Sequence, residues 1–126
     1  MKFGFGTREW VHAGAAGGDI VNSTAEVTIA PALTAPTTGA SKDRYYLGTL
    51  QIEHDLLSLV TEVIIEDGPG GTVMVRRKLQ TPANESGIAL IFDPPLKFTN
   101  GNAIMAKSTV QVTGGIYINA TGYIGS

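Results

Sequence analysis

Apolar and polar residues alternate with period two along most of the chain from residue 45 onward, and turn formers break the alternation about every eight to twelve residues. This is the pattern of an all-β sandwich or barrel. Leu59, Thr61, Val63 and Ile65 fall on one face of a strand, with Val60, Glu62, Ile64 and Glu66 on the other. Asp67-Gly68-Pro69-Gly70-Gly71 closes a turn, because glycine accepts positive φ and proline cannot extend a ladder. Thr72 to Leu79 returns as the second arm of a hairpin. It has Val73, Val75 and Leu79 inward, Met74, Arg76 and Lys78 outward, and Arg77 on the inner set near its end. Ile88, Leu90 and Phe92 then alternate with Ala89 and Ile91 until Asp93-Pro94-Pro95 stops the run.

After a short strand at Leu96-Lys97-Phe98, Asn100-Gly101 marks a tight turn into a long strand. Ile104, Ala106, Ser108, Val110 and Val112 form one face of that strand. Gly114-Gly115 turns the chain once more. The last strand sets Ile116, Ile118, Ala120 and Ile124 inward, with Tyr117, Asn119, Thr121 and Tyr123 outward. Upstream, alternation over residues 20 to 30 predicts one strand, and Tyr46, Gly48, Leu50 and Ile52 predict another near 45 to 53. Residues 55 to 60 lead into the following strand. The stretch near 31–44, rich in Ala, Thr, Pro, Gly and Ser, is expected to be a mobile surface loop. Residues 1–18 carry Phe3, Phe5 and Trp10 among five glycines and are expected to form an N-terminal arm. The expected organisation is that arm followed by a single domain over 19–126, an antiparallel β-sandwich of about eight strands with jelly-roll-like topology.

Charge narrows the partners. The net charge is -2 with basic residues scattered, so the electrostatic footprint of a nucleic-acid binder is missing. No apolar run approaches the ~20 residues that span a bilayer. The opening residues alternate Phe with Gly and then reach Arg8 and Glu9, unlike the continuous apolar core of a signal peptide. Neither nucleic acid nor membrane is expected as a partner. The 126 residues contain no cysteine, which removes disulfide frameworks and thiolate metal sites together. Only 16% of residues are charged against 43% hydrophobic, where ~25% charged is usual. Such a surface suits a chain that buries part of its exterior against neighbours.

Candidate chemistry is sparse. Glu53 and Asp55 share one face of a strand while His54 points to the other, and one histidine with two carboxylates is too little for a zinc or iron site. Glu62 and Glu66 lie about 13 Å apart along a strand, wider than the ~5 to 9.5 Å of glycosidase pairs. No cysteine nucleophile or Gly-x-Ser-x-Gly elbow is present. The glycine-rich stretches lack the lysine of a phosphate loop. Neither an enzyme activity nor a metal or cofactor is expected. Arg76 and Lys78 would stand together on the outside of their strand, as would Tyr117 and Tyr123 on theirs. These four residues are candidates for a subunit interface or a glycan-binding face.

From about residue 45 to the C-terminus the order of features resembles the β-sandwich module of capsid decoration (cement) and head-fibre proteins of tailed bacteriophages. The resemblance lies in Ser58 to Asp67 with its Gly-rich turn, Thr72 to Leu79, Phe92-Asp93-Pro94-Pro95-Leu96, the Thr99-Asn100-Gly101-Asn102-Ala103 turn, and the Gly-Tyr-Ile-Gly ending at Gly122 to Gly125. It implies a homotrimer made in the host cytoplasm and seated on the capsid surface of the virion. The major capsid protein would be its partner, gripped through Phe3, Phe5, Trp10 and Val11 of the arm. A carbohydrate- or receptor-binding module of a tail fibre or bacterial surface protein is the alternative.

Overall fold

The alternation resolves into nine strands in a computed structural model that describes residues 8–12, 19–33, 43–82 and 88–125. They are β1 (Arg8–His12), β2 (Ile20–Val21), β3 (Val27–Ala30), β4 (Arg44–His54), β5 (Thr61–Asp67), β6 (Thr72–Leu79), β7 (Ile88–Lys97), β8 (Ile104–Ser108) and β9 (Gly115–Gly125). No helix occurs among the described residues. One sheet runs β1-β9-β4-β7, with β2 also on β9, and the other runs β3-β8-β5-β6. Every described pairing is antiparallel. β1 pairs with Ala120 to Ile124 and β2 with Gly115 and Ile116, so the two occupy successive stretches of one edge. Eight strand positions in two four-stranded sheets result. The chain changes sheet at every connection except β1 to β2 and the β5–β6 hairpin. That is the topology of a jelly roll.

The core is the slab between the sheets. Leu47, Leu50 and Ile52 of β4 and Ile116, Ile118 and Ala120 of β9 meet Val63 and Ile65 of β5 and Ile104 and Ala106 of β8, with Phe98 filling one end. Register sets these contacts: Leu50 lies opposite Ala120 and Ile52 opposite Ile118, so alternate residues of both strands enter the core together. The inward set read for β9 is buried throughout.

Bulges account for most departures from simple alternation. In β4 the register shifts between Leu47 and Thr49. One extra residue exchanges the faces, so Tyr45 and Leu47 are buried on the near side of Gly48 and Leu50 and Ile52 beyond it. The strand expected near 45 to 53 from Tyr46, Gly48, Leu50 and Ile52 is present, but Tyr46 does not share the face of Leu50 and Ile52. A shift between Thr28 and Ala30 buries Ile29 and Ala30 in succession. Another, opposite the step from Ile65 to Glu66, packs both Met74 and Val75 against the core, so Met74 does not point outward.

Element limits also differ. β7 continues through Asp93-Pro94-Pro95 to Lys97, which an edge strand paired only with β4 permits. β8 ends at Ser108 rather than Val112, because the Ser108 hydroxyl donates to the Val110 carbonyl at 2.7 Å and bends the chain. The segment 20 to 30 divides between the two sheets as β2 and β3. Leu59 and Val60 fall outside β5 and are exposed. Of the stretch 31–44, residues 34–42 lie outside the described residues, while Leu33 packs on the core and Arg44 begins β4.

Truncation should separate the slab from its surface. Leu47→Ala or Ile118→Ala is expected to cost about 2 to 5 kcal/mol in urea unfolding. Ile91→Ala, at an 82% exposed position of β7, should change stability by no more than about 0.5 kcal/mol.

Candidate functional site

Four connections meet at one end of the sandwich: residues 22–26, 55–60, 80–82 and 109–114. Backbone bonds tie them together, from Asp55 N–H to the Gly115 carbonyl (2.9 Å), Leu57 N–H to Thr81 (2.9 Å), Ser58 N–H to Thr113 (3.2 Å) and Thr109 N–H to Glu62 (2.8 Å). Side chains add bracing. Thr113 N–H donates to Ser58 Oγ at 2.9 Å, and Gln111 Nε2 to Asn22 Oδ1 at 3.2 Å. The buried hydroxyls of Thr61 and Ser108 lie 2.6 Å apart, and Val110 N–H reaches Thr61 Oγ1 at 3.2 Å. Gly114 takes φ 97°, and any side chain there would run into the Leu56 carbonyl. With its polar groups bonded to one another, this loop end points apolar side chains at solvent: Leu56 (67% exposed), Val21 (63%), Leu59 (54%), Val60 and Val110, with Tyr117 at its margin. Of the exposed large hydrophobic residues among those described, only Ile91 lies elsewhere.

The loop end is nearly free of charge. Across the described residues 22–26, 55–60, 80–82 and 109–114 the charged side chains are Asp55 and Glu26, and Glu26 is turned to Gly70 and Glu66. Asp55 Oδ2 accepts the Tyr117 hydroxyl at 2.6 Å and Gly115 N–H at 3.3 Å. The bond to Asp55, followed by desolvation and the charges of Asp55 and Asp19, holds the Tyr117 hydroxyl above the usual phenol range. Tyr117 therefore remains a donor.

The residues singled out from the sequence do not form one site. Tyr117 and Tyr123 stand on β9, in one sheet, and Arg76 and Lys78 on β6, in the other. Arg76 Nη1 pairs with Glu62 Oε1 at 2.6 Å, and Lys78 sits opposite Glu62 in register. Tyr123 stacks on Tyr46 at 4.8 Å and 15°, so these two rings face each other. Glu53 accepts from Gln51 Nε2 at 2.9 Å, and His54 Nδ1 lies 2.7 Å from the Asp55 carbonyl. Among the described residues no group of three or more acidic, histidine or cysteine side chains could hold a metal ion.

Within the segment read as an arm, Arg8 to His12 forms β1 on the edge of β9. Trp10 packs against the core, edge-on to Tyr45 at 5.4 Å and 72°, above Gly122, where an added side chain would meet both Trp10 Nε1 and the Tyr46 carbonyl. Val11 pairs with Thr121. Phe3 and Phe5 lie outside the described residues.

One pair escaped the reading of the sequence. Glu66, 4% exposed, shares a hydrogen bond with Glu26, and Gly70 N–H donates to Glu26 Oε1 at 2.9 Å. Burial, then the hydrogen bond and charge of Glu26, raise the Glu66 carboxyl above the ordinary carboxylate range. The bond from Glu66, aided by Gly70 N–H and the charge of Lys107, lowers Glu26 despite its own desolvation. Glu66 is thus the proton donor and Glu26 the carboxylate. Glu66 Oε1 is buried without a partner, which costs far less for a neutral carboxyl than for an anion. Forty residues separate the two, so no local signal in the sequence announces the pair.

No protein-family model matches the chain, and no curated protein sequence does. Among solved structures, it is similar to a chain of the virus-like particle of the extra small virus of the giant freshwater prawn Macrobrachium rosenbergii, seen by cryo-electron microscopy. That likeness has a TM-score of 0.41 and 13% identity, covering 100% of this chain and 84% of the other. A chain from the infectious bursal disease virus Gt strain gives a TM-score of 0.34 and 12% identity, covering 95% of this chain and 36% of that one.

Two measurements probe these contacts. Trp10→Ala should lower stability by about 2 kcal/mol, since a half-buried aromatic is lost from the core margin. For the glutamate pair, the raised Glu66 contributes stability that is fully present below its unfolded pKa and is lost as pH rises through its folded pKa. Lowered Glu26 contributes stability present above its unfolded pKa and lost as pH falls through its folded value. Their joint contribution therefore peaks in the acid window between the two. Glu66→Gln keeps a donor toward Glu26 and has no proton to lose. Its stability relative to wild type should increase as pH rises above the ordinary carboxylate range, and parallel urea curves across that rise would exclude the shared proton.

Proposed function

We propose that this chain is a non-catalytic structural protein of a virion, a decoration or cement subunit that binds the outer surface of a phage head as an oligomer and stabilises it. The observation that carries the proposal is the braced loop end. Apolar side chains held outward on a cross-bonded scaffold lose little conformational freedom on contact, so they suit association. Jelly rolls serve in viral capsids and in lectins alike, and fold alone does not choose between such roles. The sequence resemblance to phage decoration proteins favours the capsid. Reinforcement would come from apolar contact across junctions between shell subunits, which raises the free energy needed to part them.

A glycan-binding module is the second reading. It is favoured by the outer row of β4 and β9, where Glu53 faces Tyr117 and Gln51 faces Asn119. The mutual stacking of Tyr46 and Tyr123 and the tethering of Tyr117 to Asp55 weigh against it, because a sugar platform needs free ring faces.

Heads of the cognate phage, mixed with the purified chain, should co-sediment with it and withstand higher temperature before releasing DNA. Removal of residues 1–7 leaves β1 in place, so the truncated chain should keep its circular dichroism spectrum while binding heads more weakly through loss of Phe3 and Phe5. Failure of the full chain to co-sediment, together with glycan-array binding lost on Tyr117→Ala, would replace the capsid reading with the lectin one.

A further inference from the structure

We infer that the loop end formed by residues 22–26, 55–60, 80–82 and 109–114 is a self-contact surface, which meets the same surface of further copies of this chain about a symmetry axis. The inference rests on the assembly reading above and names the partner at that site.

Charge selects the occupant. Across the described residues 22–26, 55–60, 80–82 and 109–114 no lysine or arginine occurs, Asp55 is already bonded to Tyr117 and Gly115, and Glu26 to Gly70. Nucleic acid and anionic lipid would find no cation there. A charged protein partner would find nothing to complement. A second copy, by contrast, sets against it only the bonded carboxylates of Asp55 and Glu26. Elsewhere among the described residues charges stand on the sheets, as with Glu62, Arg76 and Lys78 on the β5–β6 hairpin. Like copies can therefore approach most closely by their loop ends.

Anatomy agrees with this occupant. Leu56, Leu59, Val60, Val110 and Val21 make an apolar centre. Asn22, Thr109 and Gln111 surround it, all exposed and uncharged, as in the core and rim of protein interfaces. The exposed apolar residues present on the order of 500 Å², within the range of the largest patch on a monomer. With the rim, the area approaches the ~800 Å² per partner of a standard interface. Bracing by Thr61, Ser108, Ser58 and Thr113 keeps the same geometry in every copy, which symmetric repetition requires.

The absence of cysteine supplies a clean probe. Leu59→Cys, in the loop end, should give disulfide-linked pairs on mild oxidation, whereas Ile91→Cys, exposed on β7, should not. Sedimentation of the wild-type chain should show concentration-dependent association. The double variant Leu56→Asp/Leu59→Asp, altered only at exposed positions, should keep its circular dichroism spectrum and associate at least tenfold more weakly. A wild-type chain that stays monomeric to about 100 µM, equal association of the charged variant, or linkage through Ile91→Cys alone would overturn the inference. So would binding of the monomer to phosphatidylcholine vesicles that the charged variant loses, since the occupant would then be lipid. A monomer that binds phage heads through the loop end would overturn self-contact and leave the capsid proposal standing. An oligomer held by the loop end that never binds heads would do the reverse.

Discussion

The pairing of β4 with β9 is the constraint on which the rest of the molecule depends. Ten residue pairs run from Arg44 with Gly125 to His54 with Ile116, and β9 holds β1 and β2 along its other side. Because side chains alternate, that register commits Leu50, Ile52, Ile118 and Ala120 to the core and Gln51, Glu53, Tyr117 and Asn119 to the opposite face. It also delivers Gly115 beside Asp55, where the loop end begins. A slip of one residue would turn the apolar set of either strand to water and separate Tyr117 from its carboxylate.

The two ends of the sandwich are finished differently. At one, Asp67 accepts Thr99 N–H, the Thr99 hydroxyl and Asn102 Nδ2, while Gly68 N–H reaches the Ala103 carbonyl, so polar side chains close the slab. At the other, polar groups are consumed in holding loops to one another, and aliphatic side chains are left outside. The same number of hydrogen bonds could have supported a polar surface. The arrangement trades solubility at that end for a rigid apolar one.

Where a strand lacks irregularity, its sequence was a sufficient guide. β9 alternates without interruption and its buried set is the one its pattern names. β3, β4 and β6 each carry a register shift, and a single extra residue reverses every face beyond it, which no binary pattern records. Leu59 and Val60 continue the alternation of β5 on paper. In the fold they leave the ladder, because Ser58 is bonded to Thr113 instead. Glycine-rich flanks without periodicity make the segment around Trp10 look like an arm. The place of Trp10 is set by Gly122, more than a hundred residues away, which makes room for the indole. Alternation puts Glu66 on the face opposite Val63 and Ile65, but its partner Glu26 reaches it only through tertiary structure.

The four sheet edges among the described residues share one property. β7 carries Pro94 and Pro95 across its irregular stretch, β6 carries Arg76, Arg77 and Lys78, β3 is four residues long, and the β9 flank is divided between β1 and β2. Each is a device that discourages an incoming strand, by shortening or interrupting the row of free amides or, on β6, by charge. Backbone templating would let copies add without end, as in a fibril. With that route closed, only side-chain surfaces remain for joining copies, and such contacts turn through a fixed angle at each addition. Copies joined through such surfaces would close into a figure of definite size wherever the rotation between them returns the last copy to the first, an end that backbone templating never reaches.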